Sequence, residues 1–191
     1  LLSEQALDDA RAASDRYAEA LALSRIGGVW FNMGRFDVAK QWFSQGLAQR
    51  QSIGDWEGVG RDLSNLGEVS RLMGDFAESR RRLEDSLALG RELAGNPRLV
   101  LPMLNLVELY LEEGRFPLAE QYLQQALGLS REIGEERHMP LILGALGLLA
   151  WQRDRDVERA WSLLDECLAI ARANFFRQRI VHCLVLRARV S

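Results

Sequence analysis

The stretch "GRFDVAKQWFSQGLA", Gly34–Ala48, decides the fold because it returns. Forty residues on stands "GDFAESRRRLEDSLA", Gly74–Ala88, and forty more bring "GRFPLAEQYLQQALG", Gly114–Gly128. A blurred fourth copy, "RDVERAWSLLDECLA", Arg155–Ala169, comes one residue late. Within the copies a small residue (Ala39, Ser79, Ala119, Ala160) is followed four later by Phe43, Leu83, Leu123 or Leu164. Four further on comes Leu47, Leu87, Leu127 or Leu168. Spacing of i, i+4, i+8 lays the three on one face of a helix, here helix B.

Upstream of each copy lies a second amphipathic stretch, helix A, at 21–33, 61–73, 101–113 and 141–153. Its apolar anchors are Leu23, Ile26 and Trp30, then Leu63, Leu66 and Met73, then Met103, Leu106 and Tyr110, then Leu143, Leu146 and Ala150. Beside the second anchor sits Gly27, Gly67, Val107 or Gly147. A mid-helix glycine costs about 0.5–1 kcal/mol relative to alanine. Three at one phase imply a close helix–helix approach. Gly34, Gly74 and Gly114 fit the left-handed residue that ends a helix, and Phe36, Phe76 and Phe116 are expected to plug the gap behind it. The fourth turn, "QRDRD", has no glycine and is expected to be looser. Asn96 before Pro97 reads as a helix start.

Strand signals are nearly absent, so the fold class expected is all-α, a right-handed α-solenoid of stacked antiparallel helix pairs. The phase divides 1–191 into a single array: a half repeat at 1–15 (helix B), repeats at 16–55, 56–95, 96–135 and 136–175, and a half repeat at 176–191 (helix A). The opening "LLSEQALDDARAAS", with no starting Met or signal peptide, reads as the inside of a helix and hence as a fragment of a larger protein.

Net charge is -3, with 48% hydrophobic and 27% charged residues. That is a folded composition without the basic excess of a nucleic-acid binder. "MPLILGALGLLAW" at 139–151 is too short to span a membrane, so no membrane partner is expected. Cys167 and Cys183, alone among apolar neighbours, read as buried free thiols in a reducing, cytoplasmic setting. Lys40 is the only lysine among 24 basic residues, which suggests a GC-rich bacterial genome.

No catalytic, metal or cofactor motif is present: His138 and His182 lack ligand spacing, and there is no HExxH, CxxC, P-loop or GxSxG. No enzyme activity and no cofactor are expected. "SRRRLED" at 79–85 sends three arginines in three directions before Glu84 and Asp85, which reads as a solvated face. Trp30, Trp42 and Trp161 read as packing residues, and Trp151 as the aromatic placed for an open groove.

The four copies resemble the tetratricopeptide repeat, in a long, roughly 40-residue variety against the usual 34. Leu63, Leu66, Gly67 and Ser70 with Ser79, Leu83 and Ser86 carry the match in the second repeat. Met103, Leu106, Val107 and Tyr110 with Ala119, Leu123 and Ala126 carry it in the third. The resemblance implies a protein-interaction module whose helices A line a concave wall. The residues there would be Arg25, Arg61, Asn65, Glu68, Leu101, Asn105, Glu108, Leu148 and Trp151, with Asn65 and Asn105 exposed to grip a peptide backbone. It also implies another role, the ligand-sensing arm of a bacterial transcription regulator or signalling NTPase. The terminal half repeats lack a polar capping face, and "IVHCLVL" at 180–186 is apolar on more than one side, which points to a third role, a self-association module pairing, as a homodimer, through exposed terminal helices.

Overall fold

In the computed structural model residues 2–93 and 99–190 are described, and the Asn96–Pro97 helix start lies outside them. The described residues form ten α-helices and no strand: α1 (Leu2–Ala12), α2 (Arg16–Asn32), α3 (Phe36–Ile53), α4 (Trp56–Leu72), α5 (Phe76–Glu92), α6 (Val100–Glu112), α7 (Phe116–Ile133), α8 (Met139–Gln152), α9 (Val157–Ala173) and α10 (Arg177–Val190). This is an all-α fold of the α-solenoid class, built from antiparallel hairpins. The chain divides into two compact units, Leu1–Asn96 and Pro97–Ser191.

In unit 1, α2 pairs with α3 and α4 with α5, while α1 packs on α2 and α3 on α4. The hairpin turns work as their glycines imply. Gly34 and Gly74 sit at φ 72° and 81°. There Gly34 N–H donates to the Phe31 carbonyl and Arg35 N–H to that of Trp30, both at 2.9 Å. These satisfy carbonyls that would otherwise end the helix without partners. Asp15, Asp55 and Asp75 cap the N-termini of α2, α4 and α5 by accepting from backbone N–H groups.

The mid-helix glycines are explained by contact. A Cβ on Gly27 would lie 2.8 Å from the Phe43 ring, and one on Gly67 would lie 2.6 Å from Leu83 Cγ. Both neighbours are helix-B anchors, so α2–α3 and α4–α5 pack at a distance only glycine allows. One anchor assignment fails: Met73 is the C-cap of α4 and exposed, and buried Ser70 faces inward in its place. Phe36 and Phe76 are half-buried at their turns.

Unit 1 also buries a charge network. Arg50 at the end of α3 is 0% exposed; its Nε donates to Asp62 Oδ2 on α4 at 3.0 Å, and its Nη1 pairs with Asp55. The Ser24 hydroxyl of α2 donates to the same Asp62 oxygen at 3.0 Å. Burial pushes the Asp62 carboxyl above its ordinary 3.8, with Ser24 and Arg50 pulling the other way. Three helices thus meet on one carboxylate.

In unit 2, α6 pairs with α7 and α8 with α9, and α10 lies against both α9 and α8. Gly147 would set a Cβ 3.0 Å from Leu164 Cγ, repeating the close approach. The glycine-free turn is wider by one residue: Asp156 N–H reaches back six residues to the Ala150 carbonyl, and Arg155 takes the left-handed φ of 56°. Phe116 does not plug its turn. It is exposed, and a Tyr110–Tyr122 ring contact at 5.7 Å joins α6 to α7 instead.

Cys167 and Cys183 are joined in a disulfide, which overturns the expectation of two free thiols. Docking of α10 on α9 brings their Cα atoms to 6.3 Å, within bridging range. The argument from free thiols to a reducing compartment falls with it. No helix of the described residues is long and apolar enough to cross a membrane.

Candidate functional site

In unit 1 each helix A is packed by its own helix B and by the helix B before it: α2 by α3 and α1, α4 by α5 and α3. What remains open is a narrow stripe. On α2 that stripe runs through Leu21, Arg25, Gly28 and Asn32, and on α4 through Arg61, Asn65, Glu68 and Leu72, each three or four residues apart. Ser24 of α2 faces α4 and touches Asp62, which fixes the two helices side by side.

Between them opens a recess of about 170 Å³, lined by Ser24, Gly28, Phe31, Asn32, Phe43, Asn65 and Glu68. Phe43, buried on α3, lies at its base, and Phe31 is held in a tilted ring contact with Phe36 at 5.7 Å. A Cβ placed on Gly28 would meet nothing within 4 Å. Gly27 therefore has a packing reason and its neighbour has none. Glu68 carries the only charge among the lining residues. Its Oε1 lies 3.9 Å from Arg71 Nη2, at the outer limit of an ion pair.

Of the residues expected on the wall, Asn65 and Glu68 meet in this recess. Arg25 and Arg61 are exposed on the same stripe, outside its lining. The wall residues of unit 2 differ. Leu101 and Glu108 of α6 are exposed, as an open wall requires. Asn105 is only 6% exposed and takes part in the packing, so its expected exposure is corrected. It shares a phase with Asn65, but the face carrying it in α6 is covered. Leu148 and Trp151 pack against a core of Ala150, Ala160, Leu164, Leu186 and Val190. The last two belong to α10, so Trp151 is not a free groove aromatic: the C-terminal helix occupies that apolar strip. Gly144, a small residue on the strip, receives Leu186.

Phe31, Asn32 and Phe43 are recess residues that the wall pattern did not include. Phe43 was assigned to core alone, and Asn32 falls in the last turn. Among the described residues no group of three or more His, Cys, Asp or Glu side chains is placed to hold a metal ion.

With this geometry in view, the sequence of residues 18–92 matches the tetratricopeptide repeat. Residues 18–92 are tetratricopeptide repeats. The match spans most of α2 to α5, and the recess is lined from α2, α3 and α4 within it. Among solved structures, BtubC (BKLC) from P. vanneervenii superposes with a TM-score of 0.75 at 18% identity, covering 98% of this chain and 87% of that one. The nearly identical TPR-like repeats of a Podosopora anserina protein give 0.64 at 16% identity, covering 88% and 93%. At such identities the likeness is one of fold. No curated protein matches the chain.

Proposed function

We propose that this chain is a non-catalytic module that binds a protein or peptide partner along the helix-A stripe of α2 and α4. The observation that carries the reading is the recess at Gly28. An open cleft with an aromatic base and convergent amide and carboxylate groups is what a binding site needs, and it lies inside tetratricopeptide repeats, which commonly serve protein interaction. Asn32 and Asn65 offer both donors and acceptors to a peptide backbone. Arg25 and Arg61 add exposed positive charge on either side.

The test is affinity for a 12-residue peptide selected from a random display library on the purified chain. Fluorescence anisotropy on wild type, Asn65→Ala and Gly28→Leu follows. Losing one buried hydrogen bond or filling the recess should weaken binding by about tenfold or more. Unchanged affinity in both variants would remove the site from this stripe.

A second reading, self-association, is favoured by α10. Its Val181, Leu184 and Val185 are exposed on one stripe, and the helix carries Arg177, Arg179, Arg187 and Arg189 with no acidic residue. Two copies of α10 would repel. The acidic α1, with Glu4, Asp8 and Asp9, is the complementary surface on a second copy. Such a head-to-tail contact joins unlike surfaces and so builds chains rather than closed pairs. Light scattering should then show mass growing with concentration, less so at high salt and in Leu184→Ser. A single-chain mass at every concentration would rule this out.

A further inference from the structure

We propose that Ser24, held by the buried Asp62–Arg50 pair, selects the side chain that enters the recess between α2 and α4: its hydroxyl oxygen accepts from the NH2 of a neutral primary amide, a glutamine of the partner. The proposal rests on the partner-binding reading of the same stripe and goes beyond it by naming what enters.

The charge network behind the recess fixes where the Ser24 hydrogen points. Ser24 lines the recess. Its Oγ lies 3.0 Å from Asp62 Oδ2 and 3.1 Å from the Ala20 carbonyl oxygen. Asp62 Oδ2 also accepts from Arg50 Nε at 3.0 Å, so toward Ser24 it is an acceptor. A carbonyl oxygen likewise only accepts. A hydroxyl has one hydrogen and two lone pairs. That hydrogen is committed to the fold, and whatever enters the recess meets lone pairs.

Several residues serve this arrangement. Arg50 and Asp62 are both 0% exposed. A buried ion pair is often no more stabilising than apolar residues of similar volume, so stability alone does not account for it. Forty residues apart, the place of Asp62 holds Ala22, Pro102 and Ile142, and that of Arg50 holds Gly90 and Ser130, none of them charged. A Cβ on Gly46 would lie 2.8 Å from Ser24 Oγ and 3.1 Å from Asp62 Oδ2, and one on Gly58 would run into Arg50 Nη1. Two glycines thus make room for the network, and it stands at the recess that Gly28 leaves open.

The rest of the lining suits a primary amide. The 170 Å³ of the recess is the space of several waters at about 30 Å³ each, room for one long side chain. The rings of Phe31 and Phe43 offer apolar surface to a methylene stem. The amides of Asn32 and Asn65 donate and accept, so a glutamine amide pairs with them while giving Ser24 an N–H. A carboxylate or an aliphatic tip has no hydrogen for Ser24. An ammonium offers nothing to the asparagine NH2 groups, and the exposed Arg25 and Arg61 of the same stripe oppose it.

The whole chain is titrated, with amide NMR as the readout, using Nα-acetyl-glutamine N-methylamide. Its 5-oxonorleucine counterpart, a ketone with CH3 in place of the side-chain NH2, is the isosteric control. The glutamate and lysine counterparts test charge. Saturable shifts should centre on the Gly28 amide and the Asn32 and Asn65 side-chain amides, with millimolar Kd for the glutamine compound. The ketone should bind about fivefold more weakly, the lysine compound more weakly than glutamine, and glutamate not at all. Ser24→Ala should bring the glutamine compound down to the affinity of the ketone, whose own Kd should stay within about twofold. Arg50→Met together with Asp62→Leu, checked for helix by circular dichroism, should also shrink the preference, because the hydroxyl then turns between Ala20 and the recess. No saturable shift at these residues, a ketone or lysine compound binding as well as glutamine, or a preference unchanged in either variant overturns the proposal. A selected peptide that binds the stripe equally well in Ser24→Ala also overturns it and leaves the partner reading standing. Glutamine-dependent shifts in a chain that binds no peptide keep the role of Ser24 and sink the partner reading.

Discussion

Replacing Gly67 and Gly28 by alanine, one at a time, should move stability in opposite directions, although both glycines lie in the middle of a helix A. Carbon atoms rest about 3.5–4.0 Å apart. A Cβ on Gly67 would stand 2.6 Å from Leu83 Cγ, 2.7 Å from its Cδ2 and 3.3 Å from the Ser79 carbonyl oxygen. The backbone contact cannot swing away, and Leu83 is fully buried, so α4 and α5 must part by about an ångström. Overpacking of this kind costs about 1–3 kcal/mol, and the helix gain from losing a glycine returns about 0.5–1. The balance is a loss of up to about 2.5 kcal/mol, or as much as roughly 10 °C in Tm for a chain of this size. At Gly28 there is nothing to clash with, so Gly28→Ala keeps only the helix term, a gain of about 0.5–1 kcal/mol. Thermal and urea melts followed by circular dichroism read both signs. A control closes the argument: in the Gly67→Ala background, Leu83→Ala should cost less than the about 2–5 kcal/mol it costs alone. If Gly67→Ala raised the melting temperature as Gly28→Ala does, the close approach of helix B would not be what that glycine is for.

Arg50→Ala leaves Asp62 buried without its guanidinium and should destabilise unit 1 by about 3–5 kcal/mol, read as an early transition in urea. Replacing Arg50 by Met together with Asp62 by Leu should recover much of that. The Glu120 carboxyl is held below its ordinary 4.5, chiefly by the hydrogen bond from Arg153 and also by Arg159. Its contribution is therefore complete above pH 4.5 and lost as pH falls through the folded value; acid melts should show that loss, and Glu120→Gln should flatten it. The disulfide closes a segment of 16 residues, so changing Cys167 and Cys183 to alanine together should cost about 2–4 kcal/mol. The loss should fall first on α10, as faster amide exchange at Leu186 and Val190.

The helices were legible because one hairpin is written four times, and a face repeated at i, i+4, i+8 leaves no second interpretation. The anchors Leu83, Leu123 and Leu164 are buried as their spacing requires, and the turn glycines take the left-handed conformation that placed them there. The site was legible in part. Asn65 and Glu68 followed from the stripe opposite the anchors, but that stripe is open on α2 and α4 and largely covered on α8. Whether Leu148 and Trp151 face a groove depends on α10, whose register the sequence left unfixed. Asn105 shows the same limit: its phase equals that of Asn65, yet burial is set by neighbouring elements rather than by phase. Arg50 and Asp62 look like any exposed pair until three helices close around them. Cys167 and Cys183 sit on different helices, so only packing could join them.

The most direct test of the account is an amide-shift footprint of the tightest library-selected peptide on the chain. The account predicts the largest shifts at Ser24, Gly28, Phe31, Asn32, Asn65 and Glu68, and their loss in Gly28→Leu. Shifts centred instead on the outer faces of α3 and α5, at Ser44, Glu84 and Asp85, or on α10 would contradict it.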